Sequence, residues 1–276
     1  MNTDVQNPNS KMKSVQTSNV AGVKIVVKTE REVAYESPDH LTPWGTKQDS
    51  SRNHRFNDKL YKLYPRQQQL KVLDMGCSGG GFVKDCIDDG CFAIGLEGSD
   101  YSKRHRRAEW RAIPECLFIC DVTGEFEIFT GTGEMLQSLR FDVVTCWEMI
   151  EHIAEPDISK VAANVKRHLA PGGIWIMSVS PNEEVIRGVR LHQTVNPKSW
   201  WIGKFAELGY EHSEPHVHYF NTQFIRGPKY NGPGSFHLVL SLDKSRLPAI
   251  PHERLLRRLN DLWIGSLPQK VLAGTY

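Results

Sequence analysis

A few acidic side chains and one histidine stand where their types and spacing could do chemistry. Asp74 opens the run Asp74-Met75-Gly76-Cys77-Ser78-Gly79-Gly80-Gly81, Glu97 and Asp121 each end a short apolar run, and Glu148-Met149-Ile150-Glu151-His152 follows another. Glycines tolerate positive φ and let the backbone lie against a ligand, and the start of the following helix presents unpaired N–H groups. The run is therefore a cradle for a nucleotide-like ligand. Its spacing fits neither the G-x-G-x-x-G of a dinucleotide fold nor a P-loop, which requires Lys-Ser/Thr after its last glycine. Glu97, about twenty positions beyond the turn, is placed to accept hydrogen bonds from both hydroxyls of a ribose. If the chain turns helical after residue 147, Glu148, Glu151 and His152 lie at i, i+3 and i+4 on one face. Two carboxylates and an imidazole then meet, with His152 the best-placed general base.

The elements that must position these groups alternate between strand and helix. Apolar runs at 70–73, 91–96, 116–120, 141–146 and 174–179 read as parallel strands, each delivering a polar residue at its C-terminal end. Phe82, Val83, Cys86 and Ile87 form the buried stripe of one crossover helix, which Gly90 terminates. Ile158, Val161, Ala162, Val165 and Leu169 form another, stopping at Ala170-Pro171-Gly172-Gly173. Residues 214–220 and 235–242 read as an antiparallel closing pair of strands. Residues 123–139, with several Gly and Thr, are expected to be a loop with at most a short helix. The basic stretch 103–111 reads as a solvated helix whose charges spread over more than one face, with a phosphate-contacting patch as the alternative.

The chain has 276 residues, 39% of them hydrophobic, enough for one large α/β domain with appendages. A net charge of +2 gives no global case for nucleic acid or membrane partners. No apolar run is long enough to span a bilayer and no hydrophobic leader opens the sequence, so a cytoplasmic location is expected. The six cysteines lack paired C-x-x-C spacing and read as reduced core residues, with Cys77 the one to touch ligand. The expected layout is a disordered tail at 1–20, a cap segment with a helix at 21–69, the main domain at 70–242 and a helical extension at 243–276. Residues 37–56, around Trp44, form an ordered loop, either a lid or a peripheral segment.

The series from Val72 to Pro181 resembles, in register, class I S-adenosylmethionine (SAM) dependent methyltransferases. The resemblance implies a Rossmann-like seven-stranded sheet flanked by helices, with the last strand antiparallel, and SAM as cofactor. It lays Asp74, Gly76, Cys77 and Gly79 under the methionine part of SAM and puts Glu97 and Gly98 at the ribose. Asp121 would accept from the adenine amine, the Val122 N–H would donate to the ring, and Cys146 would close the fourth strand tip. The Glu-x-x-Glu-His unit resembles ubiquinone-pathway O-methyltransferases and terminal 2′-O-methyltransferases of small RNAs. It implies Mg2+ or another divalent cation held by Glu148, Glu151 and His152, with His192 completing the set. In a metal-free alternative the same side chains orient substrate, with His152 as base. The expected reaction is O-methylation of a small-molecule or glycan hydroxyl. Methylation of an RNA end, with nucleic acid the less favoured partner, and SAM binding without turnover are the alternatives. Oligomeric state is left open.

Overall fold

The computed structural model describes residues 12–41, 52–64, 70–132, 135–220, 223–226 and 234–266. Its strands are β1 (Ser14–Val20), β2 (Val23–Thr29), β3 (Lys71–Met75), β4 (Phe92–Glu97), β5 (Leu117–Ile119), β6 (Phe126–Thr132), β7 (Met135–Ser138), β8 (Phe141–Trp147), β9 (Leu169–Val179), β10 (Val185–Ile186), β11 (Val189–Arg190), β12 (Glu211–His212) and β13 (Phe236–Ser241). Its α-helices are α1 (Pro38–Leu41), α2 (His54–Leu63), α3 (Gly81–Asp88), α4 (Tyr101–Arg104), α5 (Glu155–His168), α6 (Lys198–Glu207), α7 (Glu214–Phe220) and α8 (Leu255–Ser266).

Seven strands pair in the order β12-β13-β9-β8-β3-β4-β5. The five from β9 to β5 are parallel, and β13, the last in the chain, runs antiparallel to both its neighbours. Val72, Leu73, Ile94, Val143, Val144, Ile174 and Ile176 are fully buried, as a parallel sheet covered by helices on both faces requires. Strand order reverses on either side of β3, so the crevice for a ligand opens at the C-terminal ends of β3, β4 and β8. The stripes expected on the crossover helices are in place: Phe82, Val83 and Cys86 of α3 and Ile158, Val161, Ala162 and Val165 of α5 are buried. Gly90 ends α3 at φ +89.

Five expectations are corrected. The tail expected to be disordered to residue 20 is ordered from residue 14, because β1 pairs along its whole length with β2. Few large apolar groups are needed there. Gln16 binds the edge of β5 through both its amide atoms, donating to Ile119 O at 2.6 Å and accepting from Ile119 N at 3.1 Å. The loop expected at 123–139 is instead the hairpin β6–β7, joined to β2 in a separate antiparallel sheet, β1-β2-β6-β7. Phe126 and Ile128 alternate with more polar neighbours and bury one face, the signature of a half-buried strand.

Residues 214–220, expected as a strand, are helix α7. His216, Tyr219 and Phe220, at i, i+3 and i+4, are its buried face. The two-residue β12 takes the sheet position beside β13. The basic stretch 103–111 is not one helix. It breaks at Arg106 and Ala108, both at positive φ (46° and 45°), into α4 and a 3-10 turn, Ala108–Arg111. Of the segment 37–56, residues 42–51, Trp44 among them, lie outside the described residues; of the rest, 38–41 form the short helix α1 instead of loop and α2 begins at His54.

Candidate active site

The chain leaves β3 at Gly76, whose φ of +70 and tight surroundings suit only glycine: a Cβ there would sit 2.6 Å from Met149 Cγ. Gly76 N and Cys77 N both donate to Leu96 O, at 2.8 and 3.0 Å, which ties the turn to the end of β4. Ser78 N donates to Glu97 Oε2 at 2.7 Å and Ser99 N to Glu97 Oε1 at 3.1 Å, so one carboxylate stitches the cradle to the loop after β4. The cradle is also braced from behind. Trp110, buried, donates its indole N–H to Ser78 O at 2.8 Å, and Glu109 N donates to Gly79 O at 2.9 Å. This brace comes from the broken basic stretch and carried no signal in the sequence.

A cavity of about 580 Å³ opens over these tips, lined by Gly76, Ser78, Glu97, Trp147, Glu148, Met149, His152, His192 and Arg226, among others. Asp74 and Cys77 line a small recess next to it, which shares Gly76, Ser78, Trp147 and Arg226 with the main cavity. Asp74 is buried and accepts from Thr145 Oγ1 at 2.6 Å. Burial pushes the Cys77 thiol well above its ordinary pKa, so it stays protonated and serves as packing against Gly95.

The other residues picked from the sequence lie off the cavity wall. Cys146 is fully buried, and the next residue of β8, Trp147, reaches the cavity instead, as the alternation of a strand dictates. Asp121 is occupied: Arg31 Nε donates to its Oδ2 at 2.7 Å, and Thr123 donates to its Oδ1 from both N and Oγ1. Val122 O accepts from Asn164 Nδ2 at 3.0 Å. Gly98 is covered by Ala34, whose N–H donates to Gly98 O at 2.9 Å. Residues 30–41 thus pass over the ends of β4 and β5, and the tip of β4 meets both that segment and, through Glu97, the cavity.

The string after β8 does not form one helical face. Glu148 takes φ +50, and only Ile150–His152 forms a turn, of 3-10 type. Glu148 N is held by Ser178 O and Ser178 Oγ, both at 3.0 Å, and Glu148 Oε2 accepts from Arg226 Nε at 3.1 Å. Glu151 is fully buried: Oε1 accepts from Ser180 N at 2.8 Å, while Oε2 has no hydrogen-bond partner among the described residues. Burial raises its carboxyl pKa, against the pull of the neighbouring imidazoles.

Glu151, His152 and His192 each offer a ligand atom, all within 4.8 Å of one another, and the two imidazoles meet edge to face at 4.7 Å. Glu148 is not part of this cluster, which corrects the expected ligand set: its carboxylate is turned to Arg226. His192 Nδ1 lies 2.5 Å from Asn182 O and its Nε2 3.1 Å from Glu184 Oε2, a pairing that a proton or a cation would hold together. His152 Nδ1 lies 2.9 Å from Asp39 Oδ2, on the short helix α1. Burial alone would lower the His152 pKa, but Asp39, then Glu151 and Glu184, outweigh it and raise it to about 9. Asp39, Trp147 and Arg226 are wall residues the sequence did not single out. Asp39 and Arg226 come from parts of the chain remote from the strand tips, and only the fold brings them in.

The methyltransferase domain family matches this chain over residues 49–227. The chain belongs to that family. Its fold is that of a class I, SAM-dependent methyltransferase domain, as the strand order above shows. Among characterised relatives, the ubiquinone biosynthesis O-methyltransferase of Pasteurella multocida is 28% identical over 148 residues, 49% of this chain and 58% of the relative. The enzyme of the same name from Coxiella burnetii is 30% identical over 127 residues, 44% of this chain and 49% of the relative. The matches thus span about half the length of these relatives. A solved structure of Burkholderia thailandensis 1,6-didemethyltoxoflavin-N1-methyltransferase, at 14% identity, is similar with a TM-score of 0.49 over 83% of this chain and 97% of that one.

Proposed function

We propose that this protein methylates a hydroxyl oxygen of a small molecule or glycan, with SAM as donor and a divalent cation at Glu151, His152 and His192. The observation that carries the reading is the buried Glu151 Oε2, without a hydrogen-bond partner, beside two imidazoles on the wall of the cavity that contains the cradle. A buried carboxylate oxygen left unpaired is costly unless a cation or proton completes it. Two imidazoles and one carboxylate suit a borderline ion such as Zn2+ better than Mg2+ or Mn2+, which prefer oxygen ligands.

The residues present fit SAM as well. Gly76 leaves the backbone open to close approach, Glu97 offers carboxylate acceptors to a ribose, and Asp74 and Cys77 floor the recess beside them. Bound there, SAM supplies a methyl group made electrophilic by its sulfonium. The chain's own task is to align an acceptor oxygen with that position and to take its proton. A cation held by Glu151, His152 and His192 would lower the pKa of that hydroxyl; without it, His152 lies on the cavity wall to take the proton once Asp39 no longer holds it in its protonated form. Glu148 and Arg226, paired at the same wall, fix the shape of the pocket next to the cradle.

The test is transfer of labelled methyl from SAM to a panel of phenols, sugars and RNA oligonucleotides, in chelator and after adding back Mn2+, Zn2+ or Mg2+. Product on phenols or sugars, restored by cation in the wild type and absent in Glu151→Gln, supports the reading. Product confined to oligonucleotides and falling steeply with salt would replace the acceptor class. Full activity in chelator would remove the cation.

A further inference from the structure

We propose that α8 docks this protein onto anionic lipid bilayers, lying in the headgroup plane with its outer face inserted. Leu255, Leu256, Leu259 and Trp263 are 68%, 81%, 51% and 64% exposed. At about 100° of rotation per residue they fall within a sector of about 100° on one side of the helix. The exposed Arg257 and the buried Asp261 lie on the opposite side of the helix, facing α2. Arg257 Nη2 pairs with Asp58 of α2, and Asp261 pairs with Arg55 at 2.9 Å and Lys59 at 3.1 Å. Gln223 Nε2 also donates to Asp261 O, at 3.1 Å. The helix is therefore seated by one side while its apolar sector faces solvent. Scattered exposed leucines are ordinary, but four large apolar side chains on one sector of three turns form a patch.

The charges around the patch select the occupant. Both acids of the segment, Glu253 and Asp261, are turned inward onto Lys59 and almost fully buried, whereas Arg254 and Arg258 are exposed. Arg258 thus flanks the exposed apolar sector, and Arg254, the residue before the helix, adds a second exposed cation at its N-terminal end. Leucine and tryptophan on one face with flanking arginines is the composition of a helix that lies in a membrane interface. There the arginine stems run along the apolar layer and their heads meet lipid phosphates. A second copy fits less well, since a symmetric pairing would bring arginines together with no exposed acid on the helix to answer them. No described helix is long and apolar enough to cross a membrane, so the contact is peripheral.

Flotation of the full chain with vesicles of phosphatidylcholine, alone or mixed with phosphatidylglycerol, tests this directly. The expected result is binding to the mixed vesicles only, weakening as salt rises. Leu256→Glu or Trp263→Glu should abolish it, and Arg254→Gln and Arg258→Gln should each weaken it by about fivefold. Unchanged circular dichroism and cofactor binding in each variant keep loss of docking distinct from loss of fold. The proposal is overturned if the wild type ignores the anionic vesicles or if Leu256→Glu binds them equally well. It is also overturned if the wild type sediments as a dimer that Leu256→Glu converts to a monomer, which would make the face an interface between copies.

Discussion

Alanine at Gly76 and, separately, at Gly90 should separate what the cradle does for the fold from what it does for the cofactor. Both glycines sit at positive φ, +70 and +89, where a side chain costs about 1–2 kcal/mol. At Gly90 nothing lies within 4 Å of the added Cβ, so that strain is the whole effect. At Gly76 the Cβ would come within 2.6 Å of Met149 Cγ, well inside the ~3.5–4.0 Å of ordinary carbon contact. Met149 lines the cavity and must swing into it. Urea denaturation should therefore show Gly90→Ala destabilised by about 1–2 kcal/mol and Gly76→Ala by more. Calorimetric titration with S-adenosylhomocysteine should show Gly90→Ala binding like the wild type and Gly76→Ala weakened by about tenfold or more, the equivalent of ~1.4 kcal/mol. Equal affinity in the two variants would refute the placement of the cofactor at this turn.

Two further predictions concern protons. His168 is held neutral: one ring nitrogen faces Asn164 O at 2.8 Å and the other accepts from Ile128 N at 3.2 Å, and burial lowers its pKa to about 4. The unfolded chain takes up this proton near the ordinary value of 6.5 and the folded chain only near 4, so its contribution is complete above 6.5 and is lost as pH falls to about 4. That loss amounts to about 3 kcal/mol, and His237, also lowered to about 4, adds to it. Urea midpoints at pH 7 and pH 4.5 check the slope, and His168→Gln should flatten it. The second prediction concerns Asp39. With His152 raised to about 9, whatever methyl transfer persists in chelator should climb with pH up to that value, because a base works only once deprotonated. Asp39→Asn removes the main cause of the rise and leaves burial opposed only by Glu151 and Glu184, so the limb should move to lower pH. A limb that stays put would exclude His152 as the base.

The sheet was legible because parallel strands buried on both faces leave long apolar runs, each ending in a polar tip, and the crossover helices carry plain stripes. Gly76 and Glu97 were legible for the same reason: their roles depend on position along the chain. What escaped were features decided by partners distant in sequence. β1 has little apolar content, and its order depends on β2 and on Gln16 reaching β5. Residues 214–220 alternate like a strand yet also bury residues at i, i+3 and i+4, and tertiary packing chose the helix. The Glu148 to His152 string shares one face only if it is helical, but Glu148 adopts positive φ and turns to Arg226, a residue 78 positions away. Asp121 looked like an open acceptor because nothing in its neighbourhood shows that Arg31 arrives on it.

The most direct test of the whole account is calorimetric binding of S-adenosylhomocysteine to the wild type, Glu97→Ala and His152→Ala, followed by methyl transfer from labelled SAM. The account predicts binding by the wild type, a loss of about tenfold or more in Glu97→Ala from the missing charge-assisted hydrogen bonds, and near-normal affinity but no transfer in His152→Ala. Wild-type protein that binds no S-adenosylhomocysteine, or Glu97→Ala that binds it as tightly as the wild type, would contradict it.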